Sequence, residues 1–181
     1  TLGVITKIWL KLLPLPKFSV SLLAPFSRMQ DAIDVVPKIM TGSGVVPTSI
    51  EFMDSLSIQA AAEYLNASLP HGDAGAYIII EIEANTQEQV EAEYEAVGKL
   101  LQDNGALEVY VADNIATSRR IWQARKCVAE ALRLVSPVYC MEDITVPPSE
   151  IPGLIAEISE IAERYGVMIP CFGHAGDGNI H

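Results

Sequence analysis

Hydrophobic positions along the chain follow two rhythms. In "YIIIEIEA" Ile78, Ile80 and Ile82 fall on one side of an extended segment and Glu81 and Glu83 on the other. That period of two marks a strand with one face on a core and one facing solvent or a cleft. Val90, Tyr94, Val97 and Leu101 instead recur at three and four, as do Ile151, Leu154, Ile158, Ile161 and Tyr165, each set making one apolar stripe on a helix. From Phe18 onward the two rhythms alternate. They predict strand 18–24, helix 27–41, strand 46–53, helix 54–65, strand 76–83, helix 86–103, strand 106–111, helix 113–134, strand 138–146, helix 148–165 and strand 166–172.

Punctuation residues support these bounds. Thr86 with Gln89, and Asp113 or Asn114, are N-cap candidates, and Gly105 and Gly166 are C-terminal stops. Alternating strands and helices would suit a parallel sheet, but strands that carry glutamates on one face do not suit burial on both. The pattern favours an α+β, ferredoxin-like fold: a largely antiparallel sheet with helices covering one face. Residues 2–12, with β-branched positions followed by a Pro-x-Pro pair, read as a further strand and an extended linker. An unpaired apolar strand there would seek this sheet or a second copy of the chain.

Composition narrows the class. The 181 residues are 50% hydrophobic and 19% charged, which is globular. Twelve Lys and Arg against 23 Asp and Glu, a net charge of −11, exclude the clustered basic surface that nucleic acid requires. Cys127, Cys140 and Cys171 form no CxxC pair, so neither a disulfide framework nor a thiolate zinc site is signalled and a reducing, cytoplasmic compartment fits. Lys7, Lys11 and Pro14 break the first apolar run, which is too short to span a bilayer.

Candidate chemistry concentrates in "CFGHAGDGNIH". Two imidazoles joined by a Gly-containing loop converge on one ion if the chain reverses, although such a pair more often makes turn hydrogen bonds than binds metal. Gly173, Gly176 and Gly178 permit positive φ and close approach of backbone to a ligand. Asp177 reads either as a polar contact or as an Asx-type turn shaping the loop. The glycine spacing matches neither phosphate-binding fingerprint. A second cluster is "IWQAR", where Trp122, Arg125, Ala129 and Leu132 share one helical stripe, so Arg125 points toward a covered surface and needs an anion. That anion is either a substrate carboxylate or one of the chain's own acids. Arg119 and Arg120 read as solvated, His71 as a surface residue and Cys140 as a small buried hydrophobe. Tyr139, Glu142 and Asp143 could line the same cleft, with Glu142 able to fix a histidine tautomer.

Residues 173–181 also match, at every position, the signature GHxGDGNxH of the C-terminal domain of FAD-linked oxidases that act on D-2-hydroxy acids. "TLGVITKIWLKLLPLP" resembles the strand closing that family's FAD-binding domain, "IEFMD" and "WQARKCVAEAL" resemble further segments, and "YCMEDITVP" is similar to a strand of its glycolate- and D-lactate-oxidising members. The resemblance spans essentially the whole chain. It implies residues 1–16 as the last strand and linker of an FAD-binding domain, and 17–181 as a substrate (cap) domain cut short at its C-terminus. It further implies FAD as cofactor, with Gly3, Val4 and Asn179 near it, and His174 and His181 as ligands of a divalent metal, often zinc. Arg125 and Asn179 would contact substrate, and catalytic groups would lie beyond His181. Cys140 stands where dicarboxylate-specific members place a basic residue, which favours a short monocarboxylic 2-hydroxy acid. An electron-acceptor protein or quinone, a homo-oligomer and peripheral membrane association complete the implied setting. Two rivals are a non-catalytic ferredoxin-like binding or oligomerisation module and a zinc hydrolase, the latter lacking a third ligand and HExxH.

Overall fold

The computed structural model describes residues 3–181. From Phe18 the chain runs β1 (Phe18–Phe26), α1 (Met29–Gly42), β2 (Ser49–Asp54), α2 (Ser55–Leu65), β3 (Ala76–Ala84), α3 (Gln87–Asp103) and β4 (Tyr110–Ala112). It continues with α4 (Ile115–Lys126), α5 (Val128–Val135), β5 (Ile144–Thr145), α6 (Ile151–Tyr165), β6 (Phe172–His174) and β7 (Asn179–Ile180), and short 3-10 turns occupy Pro148–Glu150 and Ala175–Asp177.

Every pairing is antiparallel, in the order β4-β1-β3-β2-β6-β7-β5. Its first four strands have the ferredoxin-like order, as the alternation predicts, and β6, β7 and β5 extend the sheet past β2. The period of two in "YIIIEIEA" is realised: Ile78, Ile80 and Ile82 join Leu22, Phe26, Phe52, Ile33 and Val97 in a core beneath α1, α3 and α6. The opposite face divides in two. At one end Leu23, Met53, Tyr77, Ile79 and Phe172 meet α2, α4 and α5. At the other, Glu81 and Glu83 are reached only by Ser19 and Thr48, leaving a polar floor.

The caps follow the sequence. Thr86 Oγ1 accepts from Gln89 N at 3.2 Å, Asn114 Oδ1 from Thr117 N at 3.0 Å, and Gly166 ends α6 at φ 62°. A third cap, Asp54, accepts from Ser57 N at 2.8 Å and from Cys171 N at 2.7 Å, tying the start of α2 to the entry of β6, the strand next to β2.

Three expectations are corrected. Residues 3–12 form no strand and are exposed, with Trp9 at 89%; residue 2, included in the expected strand, lies outside the described residues. The first backbone bond to the sheet comes only at Lys17, whose N donates to Ala84 O, because β1 already has partners on both sides. The long helix over 113–134 breaks at Cys127 (φ −86°, ψ −3°), so that α5 can turn onto α2. Strand 138–146 shrinks to two residues, and Cys140 is exposed rather than buried, its thiol donating to Glu142.

Candidate functional site

On the second face, bordering its apolar end at Ile79 and Phe172, lies a polar row built strand by strand. Register places Glu51 (β2) beside Ile79 (β3), and His174 (β6) opposite Asn179 (β7), which in turn faces Thr145 (β5). Since alternate residues of a strand share a face, Glu51, His174, Asn179 and His181 all project to one side. The hairpin that achieves this needs two of its glycines. Gly178 closes the turn at φ 80°, and any side chain at Gly173 would run into the backbone of Asn179 and Ile180. Phe172 and His181 then exchange backbone hydrogen bonds of 3.1 and 2.7 Å. The two histidine rings meet edge to face, 5.5 Å between centroids.

Glu51 is the centre of the cluster and is only 5% exposed. Its Oε2 accepts from Arg125 Nε at 3.0 Å and lies 2.9 Å from Nη2, while its Oε1 lies 2.8 Å from His174 Nδ1. A carboxylate only accepts, so His174 is held with the proton on Nδ1 and with Nε2 as its free nitrogen. Arg125 descends from the last turn of α4, buried, with its guanidinium 5.1 Å from the centre of the Phe172 ring. Burial pulls its pKa below the usual arginine value, against the opposing pull of Glu51. Of the two anions open to Arg125, the structure supplies the internal one; the guanidinium uses Nε and Nη2 on it, and Nη1 is left over.

On the other side His181 Nδ1 lies 3.5 Å from Asp143 Oδ1. Its pKa is held below the ordinary imidazole value, first by burial and then by Arg125 and His174, with Asp143 and Glu51 pulling the other way. The Asn179 amide nitrogen donates to Asp143 at 2.6 Å and to Thr145 Oγ1 at 3.1 Å, fastening β7 to β5. The carboxylate that orients His174 is therefore Glu51 and the one near His181 is Asp143, rather than Glu142, which takes the Cys140 thiol. Asp177 caps no partner with its side chain and sits in the 3-10 turn. His71 is exposed, 3.4 Å from Glu108.

The implied metal does not find its fit in these residues. Among the described residues no group of three or more His, Cys, Asp or Glu is placed to hold a metal ion, so the expectation of zinc or another divalent metal on His174 and His181 is not supported. Both Glu51 oxygens are already taken, and two imidazoles fill half of a tetrahedral set. For FAD, Gly3 has nothing within 4 Å of the direction a side chain would take and Val4 is 87% exposed. The Asn179 amide is occupied by Asp143 and Thr145.

Glu51 is the residue that sequence reasoning passed over. Its signal was present in "SIEFMD", where an acid interrupts a strand whose neighbours are all buried.

The family profile described as "FAD linked oxidases, C-terminal domain" matches residues 15–181. The chain is 35% identical over 180 residues to glycolate oxidase subunit GlcD of Escherichia coli (strain K12), covering 99% of this chain and 36% of that protein. It is 30% identical over 186 residues to a D-lactate dehydrogenase of Anaerostipes hadrus, covering 100% and 39%. It thus spans well under half the length of these curated relatives. A solved alkyldihydroxyacetonephosphate synthase superposes with a TM-score of 0.61 at 15% identity, over 91% of this chain and 35% of that one, a likeness of fold alone.

Proposed function

Because the chain belongs to the family of FAD-linked oxidase C-terminal domains, we propose that it is the substrate-anchoring part of an oxidoreductase that converts a small 2-hydroxy acid, of the glycolate or D-lactate kind, to its 2-oxo acid. The observation that carries this reading is the Glu51-centred pair: one buried carboxylate holds an arginine and an imidazole side by side on one face of the sheet. A 2-hydroxy acid offers a carboxylate and an adjacent hydroxyl. The guanidinium edge not spent on Glu51 suits the carboxylate, and His174 Nε2 suits the hydroxyl hydrogen. The FAD implied by the family would take up the two electrons and the hydrogen of the carbinol carbon when bound, in a part of the protein beyond these residues.

The protein's own contribution is then position. Glu51 neutralises Arg125 enough to keep it buried while leaving one nitrogen for a ligand, and it turns the imidazole so that its lone pair faces outward. Asp143 and Thr145 hold the hairpin against β5, so the second imidazole narrows the space beside His174 and favours a short side chain on the acid. Among the described residues no helix is long and apolar enough to cross a membrane. An acceptor protein or quinone and a second copy of the chain remain the proposed partners.

Arg125→Lys in the full-length protein tests the assignment. The ammonium keeps a charge against Glu51 but cannot bond both Glu51 and a substrate carboxylate in one plane. Losing a charge-assisted hydrogen bond of roughly 1.5–3 kcal/mol lowers kcat/KM about ten- to hundredfold. Near-native kcat/KM on glycolate and D-lactate would show that Arg125 serves only the ion pair.

A further inference from the structure

We propose that a second ligand site lies beneath α4, on the helix stripe next to that of Arg125, and that it takes a compact ring carrying one carboxylate. Helix α4 has two working faces. Ser118, Trp122 and Arg125 look toward β1 and β2, where the Ser118 hydroxyl is 2.9 Å from Ser21 Oγ, Trp122 Nε1 donates to the same oxygen at 3.0 Å, and Arg125 meets Glu51. Thr117, Arg120, Ile121 and Ala124, at i, i+3, i+4 and i+7, share the other face. There they roof a cavity of about 150 Å³ whose floor includes Leu23 and Ile79.

Size and charge identify the ligand. An apolar cavity of about 150 Å³ is large enough for a six-carbon ring. Its polar edge is selective for an anion. The Tyr77 hydroxyl donates to Pro70 O and the Tyr110 hydroxyl donates to Glu108, so both are already satisfied. Arg120 forms no ion pair among the described residues, in a chain with nearly twice as many acids as bases. An exposed guanidinium at the edge of an apolar cavity, with Thr117 one turn before it, matches a carboxylate one or two bonds from a ring. Such a ligand would bear on the helix that sets Arg125 without entering the Glu51 cluster, so the site stands apart from the function proposed above.

Methyl-resolved NMR of the protein titrated with phenylacetate, toluene or acetate reads this directly. The expected result is a saturable shift of the Leu23, Ile79 and Ile121 methyls with phenylacetate, a weaker one with toluene and none with acetate. Arg120→Gln, on the surface, should weaken phenylacetate about tenfold and leave toluene unchanged. Ala124→Leu should fill the space and abolish both responses. The proposal falls if phenylacetate causes no saturable shift of these methyls, if the shifts centre on His174 instead, or if Arg120→Gln binds phenylacetate as well as the wild type.

Discussion

Glu51 bears two partners on two oxygens, and its removal deprives both at once. In Glu51→Ala the buried Arg125 loses its only ion pair among the described residues and His174 loses the acceptor that orients it. Breaking a buried pair by deleting one member costs about 3–5 kcal/mol, because the remaining charge stays desolvated. Urea denaturation of Glu51→Ala should show a loss in that range. A loss below about 1 kcal/mol would mean that Arg125 escapes to water and that the cluster is looser than its distances indicate. Cys171 illustrates the opposite extreme at this scale: burial first, and then the nearby Asp54 charge, push its thiol pKa up to about 12, leaving it inert where the exposed Cys140 is accessible.

At the scale of elements, the join between α2 and β6 matters most for the site, since β6 carries His174. Asp54 makes that join by capping α2 on Ser57 N while also accepting from Cys171 N, just before β6. Burial raises its pKa, with the Ser57 and Cys171 bonds opposing. Asp54→Ala removes a cap worth about 0.5–2 kcal/mol and orphans a buried backbone N–H at about 1–3 kcal/mol. The expected total of about 1.5–5 kcal/mol lowers Tm by roughly 3–20 °C in a domain of this size. Asp54→Ser, which restores the helix cap but cannot span to Cys171, should recover part of the loss. Equal melting of the two variants would assign the whole effect to the β6 side.

For the whole molecule, the contact between the 66–75 loop and the second face of the sheet should govern behaviour in base. The Tyr77 phenol is buried there and donates to Pro70 O; its pKa is raised well above 10, by burial first and then by Tyr110 and Asp73. The folded state therefore holds this proton more tightly than the unfolded chain. Its contribution is fully present below the unfolded value of about 10 and is lost as pH rises further toward the folded value. Stability of the wild type should fall more steeply above pH 10 than that of Tyr77→Phe, which has no proton to lose there; parallel curves from chemical denaturation at pH 8 to 11 would contradict this. The comparison cancels the general repulsion of a chain with net charge −11, which grows in both proteins alike.

Much of the architecture was legible because it rests on local periodicity. "YIIIEIEA" determined a strand with an oily and a polar side, Val90 to Leu101 determined a striped helix, and Thr86, Asn114 and Gly166 marked helix ends, each through contacts a few residues apart. The turn of the histidine motif was legible for the same reason, since Gly178 closes it locally, whereas the strand expected over 166–172 forms only over Phe172–His174. What tertiary structure alone decided were pairings between distant segments. The break at Cys127 depends on α5 finding α2, and the exposed residues 3–12 show an apolar pattern with no free strand beside it. Arg125 announced in sequence that it needed an anion but could not say which one. The answer, Glu51, lies 74 residues away and is brought there by the β2–β3 and β2–β6 pairings. A buried charge takes its partner from whatever the fold places within hydrogen-bond reach, and that distance is set by sheet register rather than by spacing along the chain.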